Sequence, residues 1–394
     1  MKKNVAIIIP QLAGGGAERV ASNLSLYLPE EKYNKFVIVY NKGEEDYPYK
    51  GKMVNINTKI SSNPLTKMKN FFTRIHRLKK IKKEYGIEVS ISLLTRTNIT
   101  NILSRNNDKI IVSVRNYLSK SSKGFYGKVN NFLIKLLYNK ADSIVAVSRV
   151  IKNDLIENFG IKEQKIDVIN NPYDLDKIHT LSLEPIDEVW RDIFKNPTVI
   201  TVGRLAEQKG QWHLIRVFNE VKRYVPGAKL VIIGQGELET YLKSLVSKLK
   251  LERDVFFLGY QTNPFKFVAN STLFAFPSLY EGFPNTLCEA MGSGVPVLAS
   301  DCKSGPKEIL SPSSDLDEEI HNTYYSTYGT LTPVCEGEFL GANASLTPSE
   351  ITLASGIISI LNDDSIQEYY ANKSLIRSRD FSYEKIMKKW DEIL

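Results

Sequence analysis

Two separate runs of alternating strand-like and helix-like segments constrain this chain more than any other feature. In the first run, Val5–Pro10, Phe36–Tyr40, Val89–Leu94, Ile110–Val114 and Ile144–Val147 are short β-rich stretches with helical patterns between them. In the second, Thr198–Val202, Lys229–Ile233, Val255–Leu258, Leu273–Phe276 and Val295–Ala299 play that part, with helices starting near Gly210, Glu237 and Pro284. Short apolar strands separated by helices belong in parallel sheets covered on both faces, a doubly wound α/β arrangement. Around Asn170-Asn171-Pro172 the pattern breaks, and a polar stretch with Pro185 and Pro197 follows. The expected division is a first domain over residues 1–172, a linker over 173–196 and a second domain over 197–380. A chain of 394 residues suits two cores of that size.

The composition narrows the classes further. No apolar run approaches the roughly 18–20 residues needed to span a bilayer. Lys2 and Lys3 ahead of an apolar run mimic a signal peptide, but Pro10 and Gln11 end that run early, and a first strand fits better. Cys288, Cys302 and Cys335 have neither metal-ligand spacing nor an even count, so reduced thiols in the cytoplasm are expected. The net charge of +8 hides an asymmetry: residues 1–172 hold 30 Lys+Arg against 14 Asp+Glu, and the remainder 22 against 30. A basic half of net +16 beside an acidic half of net −8 suggests that the first half faces something anionic. Nucleic acid would suit that charge, but no DNA- or RNA-binding motif is present, and none is expected as a partner.

The densest chemistry lies in Glu281-Gly-Phe-Pro-Asn-Thr-Leu-Cys-Glu289. A helix beginning near Pro284 brings Glu289 back toward the site that Glu281 borders, because eight residues are a little over two turns. Between the carboxylates lie Gly282, Phe283, Pro284 and Asn285, and at a helix start the free N–H groups of the residues other than the proline suit an anion. One carboxylate can accept from sugar hydroxyls, the other from ribose, and the amides can hold a diphosphate. The flanks place this segment at the carboxyl ends of parallel strands, where open α/β sheets bind ligands. Val202-Gly203-Arg204-Leu-Ala-Glu-Gln-Lys209-Gly210 supplies two cations on a turn before a helix. There Arg204 and Lys209 would stabilise the charge on a departing nucleoside diphosphate. Gly14-Gly15-Gly16-Ala-Glu-Arg19 opens a helix after the first strand and permits close backbone approach.

These motifs together resemble the family 4 retaining glycosyltransferases of GT-B fold. E-x7-E after a strand ending in Pro277-Ser278, V-G-R-L-x-x-x-K-G and G-G-A-E-R all stand where that family has them, and the resemblance covers nearly the whole chain. It implies two Rossmann-like doubly wound domains facing across a cleft, with residues 381–394 crossing back onto the first. It implies that Gly15 and Gly16 contact donor phosphate and acceptor, and that Arg204 and Lys209 hold the diphosphate. Gly234 and Gly259-Tyr260 each close a strand where the family binds the base. Ser300–Glu308 resembles a subgroup that transfers N-acetylgalactosamine or galactose in bacterial surface-glycan assembly. Arg96 and the pair Arg115-Asn116 end strands on the acceptor and sugar side. Many family members have a His near the second position; the only histidines here are His76, His179, His213 and His321, so Arg115 and Asn116 take its place. The implied donor is a UDP-hexose or UDP-N-acetylhexosamine, the acceptor a polyprenyl-diphosphate-linked glycan. In such enzymes the acceptor attacks the face from which UDP leaves, and a donor phosphate oxygen takes the proton. Neither cofactor nor metal is expected: Asp174-Leu-Asp176 and Asp315-Leu-Asp317 match a metal-binding D-x-D only in linker or loop.

From Lys67 to Lys83 the chain has eight basic residues and no acid: Lys67, Lys69, Arg74, Arg77, Lys79, Lys80, Lys82 and Lys83. Met68, Phe71, Phe72, Ile75, Leu78 and Ile81 recur among them at helical spacing. Either this is a helix packed on its sheet with lysines in water, or its cations hold anionic headgroups and a lipid diphosphate at the inner face of the cytoplasmic membrane. Lys120–Tyr138, with Phe125 and Tyr126 beside Lys123 and Lys128, continues the theme. Two other classes stay open: a GT-B epimerase acting on a UDP-sugar, and a non-catalytic membrane-binding module. Ser311–Tyr328 is polar without periodicity and is expected as a long surface loop.

Overall fold

The computed structural model describes residues 2–43, 46–58, 61, 63–121 and 124–394, without the side chains of residues 120, 121 and 124–126. The near-continuous apolar runs of the first half form strands covered on both faces. These are β1 (Lys3–Ile9), β2 (Tyr33–Val39), β3 (Lys52–Asn55), β4 (Val89–Leu93), β5 (Lys109–Val114), β6 (Ser143–Ala146) and β7 (Ile166–Val168). All pair in parallel in the order β3-β2-β1-β4-β5-β6-β7. The order reverses between β1 and β4, which makes a topological switch point there. The connecting helices are α1 (Gly16–Tyr27), α2 (Pro64–Glu84), α3 (Thr95–Leu103), α4 (Leu118–Ser121), α5 (Gly124–Leu137) and α6 (Arg149–Phe159). β3 and β7 lie outside the sequence expectation; both are short edge strands with half-exposed residues, so they carry little apolar signal.

A second unit spans Asp174–Ser382. Its strands are β8 (Thr198–Val202), β9 (Lys229–Ile233), β10 (Val255–Gly259), β11 (Leu273–Phe276), β12 (Val297–Ser300), β13 (Tyr324–Tyr325) and β14 (Thr330–Thr332), in the order β10-β9-β8-β11-β12-β14-β13. Only the β13–β14 pair is antiparallel. Here the switch point falls between β8 and β11. Its helices are α7 (Leu175–Ser182), α8 (Glu188–Arg191), α9 (Gln211–Tyr224), α10 (Glu239–Lys248), α11 (Phe265–Ala269), α12 (Asn285–Gly292), α13 (Pro306–Leu310), α14 (Pro348–Leu361) and α15 (Asp364–Ser378). The last helix, α16 (Tyr383–Ile393), belongs with residues 1–173, where Ile386, Met387 and Trp390 join the core built on β1, β2, β4 and α1. Tyr383 stacks on Tyr27, with ring centroids 4.2 Å apart.

Three expectations change. Of residues 173–196, expected as a linker, Tyr173 belongs with the first unit and 174–196 with the second, where they include α7 and α8; Asp174 caps α7 by accepting from the Lys177 N–H at 2.9 Å. The polar stretch 311–328 ends in a strand, since Tyr324 and Tyr325 pair with β14 through the backbone, which needs no side-chain period. Most consequentially, the apolar period of α2 does not all face the sheet: Leu78, with Ile81 beside it, joins the core of β1 and β2. Only Leu78 and Lys82 are buried, while Met68 and Phe72 are exposed. No helix of the described residues is long and apolar enough to cross a membrane.

Candidate active site

In the second unit the two strands at the switch point deliver the strongest sequence motifs to one place. Beyond β8 the chain turns through Gly203 and Arg204 to a short 3₁₀ turn at Glu207–Lys209, then enters α9. Gly210 has φ +61°, and a Cβ there would strike the Pro277 carbonyl beyond β11. The two loops therefore touch backbone to backbone. Leu279 N–H donates to the Gln208 carbonyl at 2.8 Å, which fixes their register.

That contact sets the central pair: Lys209 Nζ donates to Glu281 Oε1 at 2.6 Å. The ammonium also lies 5.4 Å from the centroid of the Phe276 ring. Glu281 is 8% exposed, and Gln208 Nε2 bridges the Tyr280 carbonyl at 2.8 Å and Glu281 Oε2 at 3.3 Å. The carboxylate is thus held from both sides, at the end of β11. Sequence reasoning missed Gln208; it occupies a variable place between the two motif cations, and only the folded loop reveals its reach. Arg204 is exposed, and among the described residues none pairs with its guanidinium.

Glycines close the approach of neighbouring strands. A Cβ on Gly234, whose φ is +137°, would collide with the Gly203 carbonyl, and one on Gly236 with the Leu205 backbone. Gly234 N–H donates to the Gly259 carbonyl at 2.8 Å, so the ends of β8, β9 and β10 are tied in a row. Tyr260 follows, exposed. On the other side, Gly282 to Asn285 lead into α12, with Phe283 buried and packed edge-on against Phe381. Pro284 sits against Gly305, where any side chain would clash. Ser304, at φ +73°, donates to the Gly282 carbonyl at 2.6 Å and was also missed, since nothing in Ser300–Glu308 signals a positive φ at a serine. Glu289, on α12, is 8% exposed. Beyond β12, burial pushes the Asp301 carboxyl up to about 6 although Lys307 Nζ stands 3.0 Å away and pulls it down.

Behind this site α9 is clamped to α14. Glu350 accepts from Arg216 Nε at 2.8 Å and Nη2 at 3.0 Å, and lies 2.8 Å from His213 Nδ1, all buried. Burial works against the charged carboxylate, but His213 and Arg216 outweigh it and hold its pKa down at about 2. The same Glu350 closes a capping box with Thr347. Among the described residues no group of three or more His, Cys, Asp or Glu is arranged to hold a metal. Asp315 instead accepts from the Asp317 N–H at 3.0 Å.

The first unit carries its own candidates at its own switch point. Gly15 is the N-cap of α1, after β1, and the Glu18 carboxylate folds over it. Arg96 is exposed on the first turn of α3, after β4. Arg115, after β5, is 9% exposed; Nη1 donates to Ser113 Oγ at 2.9 Å, and Nη2 is buried without a partner. Burial lowers its pKa to about 10, and Tyr173 opposes the shift. Asn116 is exposed beside it. Of the basic residues expected at a membrane, Lys67, Lys69, Lys79, Lys80 and Lys83 are exposed. Arg77 donates to the Ile56 and Asn57 carbonyls, and Arg74 to Thr58. Lys82 is excluded from that role: its ammonium is fully buried, 2.8 Å from Asp108 and 2.6 Å from Asn101 Oδ1. Of Lys120–Tyr138, Lys123 lies outside the described residues, as do the side chains of Phe125 and Tyr126.

Comparison with known proteins agrees with this layout. Residues 14–177 match the family described as Glycosyltransferase Family 4, and residues 186–315 match Glycosyl transferases group 1. An uncharacterised glycosyltransferase of Methanocaldococcus jannaschii is 38% identical, over 92% of each chain. The N-acetylgalactosamine-N,N'-diacetylbacillosaminyl-diphospho-undecaprenol 4-alpha-N-acetylgalactosaminyltransferase of Campylobacter jejuni is 30% identical over 98% of this chain and 97% of its own. Among solved structures, HepE of Anabaena in complex with UDP superposes with a TM-score of 0.75 at 19% identity, over 100% of this chain and 99% of that one. Two parallel-sheet units, the motif residues at the switch point of the second and relatives of this identity across the whole length lead to one conclusion: the chain belongs to the family 4, group 1 glycosyltransferases of GT-B fold.

Proposed function

We propose that this protein is a retaining hexosyltransferase that moves a hexose or N-acetylhexosamine from a UDP-sugar to a polyprenyl-diphosphate-linked glycan. The observation that carries the reading is the Lys209–Glu281 pair at the ends of β8 and β11. An ammonium has three donors. One is spent on Glu281, and two remain for the oxygens of a diphosphate, with Arg204 as a second, unpaired cation. The leaving diphosphate gains charge as the glycosidic bond breaks, and cations fixed beforehand lower that barrier. No metal is assigned, because these two side chains meet that charge.

Glu281, held by Lys209 and Gln208, presents its remaining lone pairs to sugar hydroxyls, and Glu289 is assigned to the ribose. Gly203, Gly234 and Gly259 keep the strand ends close enough for base and phosphate to lie on backbone, with Tyr260 beside them. The amides near Gly282–Asn285 assist at the start of α12. In the first unit, Gly15 and Gly16 are assigned to the donor phosphate, and Arg96, Arg115 and Asn116 to the acceptor; the unpartnered Nη2 of buried Arg115 supports that choice. The exposed lysines of α2 are assigned to an anionic membrane surface on the cytoplasmic side. A lipid-linked acceptor is supported by the relative from Campylobacter jejuni, whose name states a diphospho-undecaprenol acceptor.

The test is UDP release from a panel of UDP-sugars, with and without a prenyl-diphosphate-linked acceptor. Acceptor-dependent release from one donor supports the reading. A new UDP-sugar formed without acceptor would point to an epimerase, and no turnover of any nucleotide sugar to a binding module.

A further inference from the structure

The turn that carries Glu281 is gripped at three places by the loop beyond β12. Glu281 N–H donates to the Lys303 carbonyl at 3.4 Å, Ser304 Oγ donates to the Gly282 carbonyl at 2.6 Å, and Pro284 lies against Gly305. Ser304 is 2% exposed and has φ +73°, followed by Gly305 at +109°. Left-handed backbone is open to glycine without steric cost and is strained for a serine. A glycine at 304 would release that strain. What the serine adds is a hydroxyl, and the hydroxyl holds the Gly282 carbonyl.

That bond fixes more than one atom. A trans peptide is planar, so its C=O and N–H point opposite ways. The peptide joining Tyr280 to Glu281 shows this arrangement: its carbonyl accepts from Gln208 Nε2 at 2.8 Å on one side, and its N–H donates to Lys303 on the other. In the peptide joining Gly282 to Phe283, Ser304 holds the carbonyl, so the Phe283 N–H points away from the loop beyond β12. Among the described residues that N–H has no hydrogen-bond partner, although Phe283 is 7% exposed. A buried backbone donor without an acceptor is rare in a folded protein, and it suits an acceptor atom brought by a ligand.

We propose that Ser304 is a positioning residue: by holding the Gly282 carbonyl it aims the Phe283 N–H at an oxygen of the leaving diphosphate. A donor fixed beforehand stabilises charge as it develops and needs no reorganisation at the moment of reaction. The hydroxyl touches no substrate; it acts through the peptide that it orients. The edge-on contact of the Phe283 ring with Phe381 holds the same residue from its side chain. This inference rests on the UDP-sugar transfer proposed above. It adds which side chain sets the amide geometry, and why a serine stands in left-handed backbone there.

The test separates the hydroxyl from the strain. Ser304→Ala removes the hydroxyl and keeps the strain, whereas Ser304→Gly removes both. Strain predicts that Ser304→Gly melts at a higher temperature than Ser304→Ala. Positioning predicts that both lose about tenfold or more in turnover number, measured as UDP release, because the donor is no longer fixed. The KM for the UDP-sugar is expected to stay within about threefold, since the interaction belongs to the transition state. Turnover that follows the melting temperature, lost in Ser304→Ala and kept in Ser304→Gly, would show a structural role only and overturn the proposal. Wild-type turnover in both variants would overturn it as well. Hydrogen exchange over residues 279–290, read by mass spectrometry without substrate, is expected to be faster in both variants, and unchanged exchange would contradict the hold of Ser304 on the turn. A wild type that turns over no nucleotide sugar, with exchange behaving as stated, would remove the transfer reading while leaving that hold in place.

Discussion

Lys209 Nζ and Glu281 Oε1 stand 2.6 Å apart, and the role proposed for Lys209 is to meet the charge of a leaving diphosphate. Lys209→Ala is expected to lower the turnover number by about 10²–10³, or roughly 2–4 kcal/mol of transition-state stabilisation. Steady-state UDP release checks it, and turnover within threefold of wild type would contradict the role. A second single-residue prediction concerns Glu350. Its pKa is about 2 in the fold and near 4.5 when unfolded, so its ion pair stabilises fully above 4.5 and the benefit is lost as pH falls toward 2. Glu350→Gln should cost about 3 kcal/mol at neutral pH, by breaking a buried pair, and should flatten the acid limb of stability between pH 4.5 and 2. Urea unfolding across that range measures both. At this scale sequence gave unequal access. The positions of Lys209 and Glu281 beyond β8 and β11 were legible because each follows an apolar strand, and Glu289 was legible as a residue of the next helix. Gln208 and Ser304 were not, because each acts through loops brought together from afar, as does Lys82, whose neighbour Asp108 is distant in sequence.

At the scale of elements, the strand ends of the second unit are held close by glycines, and this has a measurable cost when disturbed. Gly234→Ala places a methyl group onto the Gly203 carbonyl at a φ of +137°, so it should destabilise by about 2 kcal/mol or more and weaken nucleotide binding. Differential scanning calorimetry and UDP titration would test both parts; a neutral effect would mean that β8 and β9 can part freely. The buried strands were legible from their apolar runs, with ends displaced by a few residues. β3, β7, β13 and β14 were not: β3, β7 and β13 are short edge strands, and β14, though buried, is three residues long with two threonines, too short to leave an apolar run. Helix α2 misled in a different way. Its apolar period is genuine, but the period cannot say which residues meet the sheet, and here the outward stripe and the buried Lys82 reverse the simplest assignment.

The whole molecule shares its first five strand positions between two units and departs only at the far edge of the second, where β14 precedes an antiparallel β13; the basic excess lies in residues 1–172 and the acidic excess in the remainder. The final helix belongs to the first unit although the chain reaches it only after completing the second. Trp390 is 1% exposed in that unit's core, and Asp391 accepts from Lys32 at 2.5 Å and from the Tyr33 hydroxyl at 2.6 Å. Trp390→Ala should cost roughly 3–5 kcal/mol in the first unit, seen as a lowered transition in calorimetry; an unchanged transition would contradict the place of Trp390 in that core. The most direct test of the central claim is acceptor-dependent UDP release from a panel of UDP-hexoses and UDP-N-acetylhexosamines, comparing wild type with Glu281→Ala. Release from one donor only when a prenyl-diphosphate-linked acceptor is present, and its loss in the variant, is the expected result. Equal release by both proteins would contradict the role given to Glu281, and no release from any UDP-sugar would contradict the donor assignment.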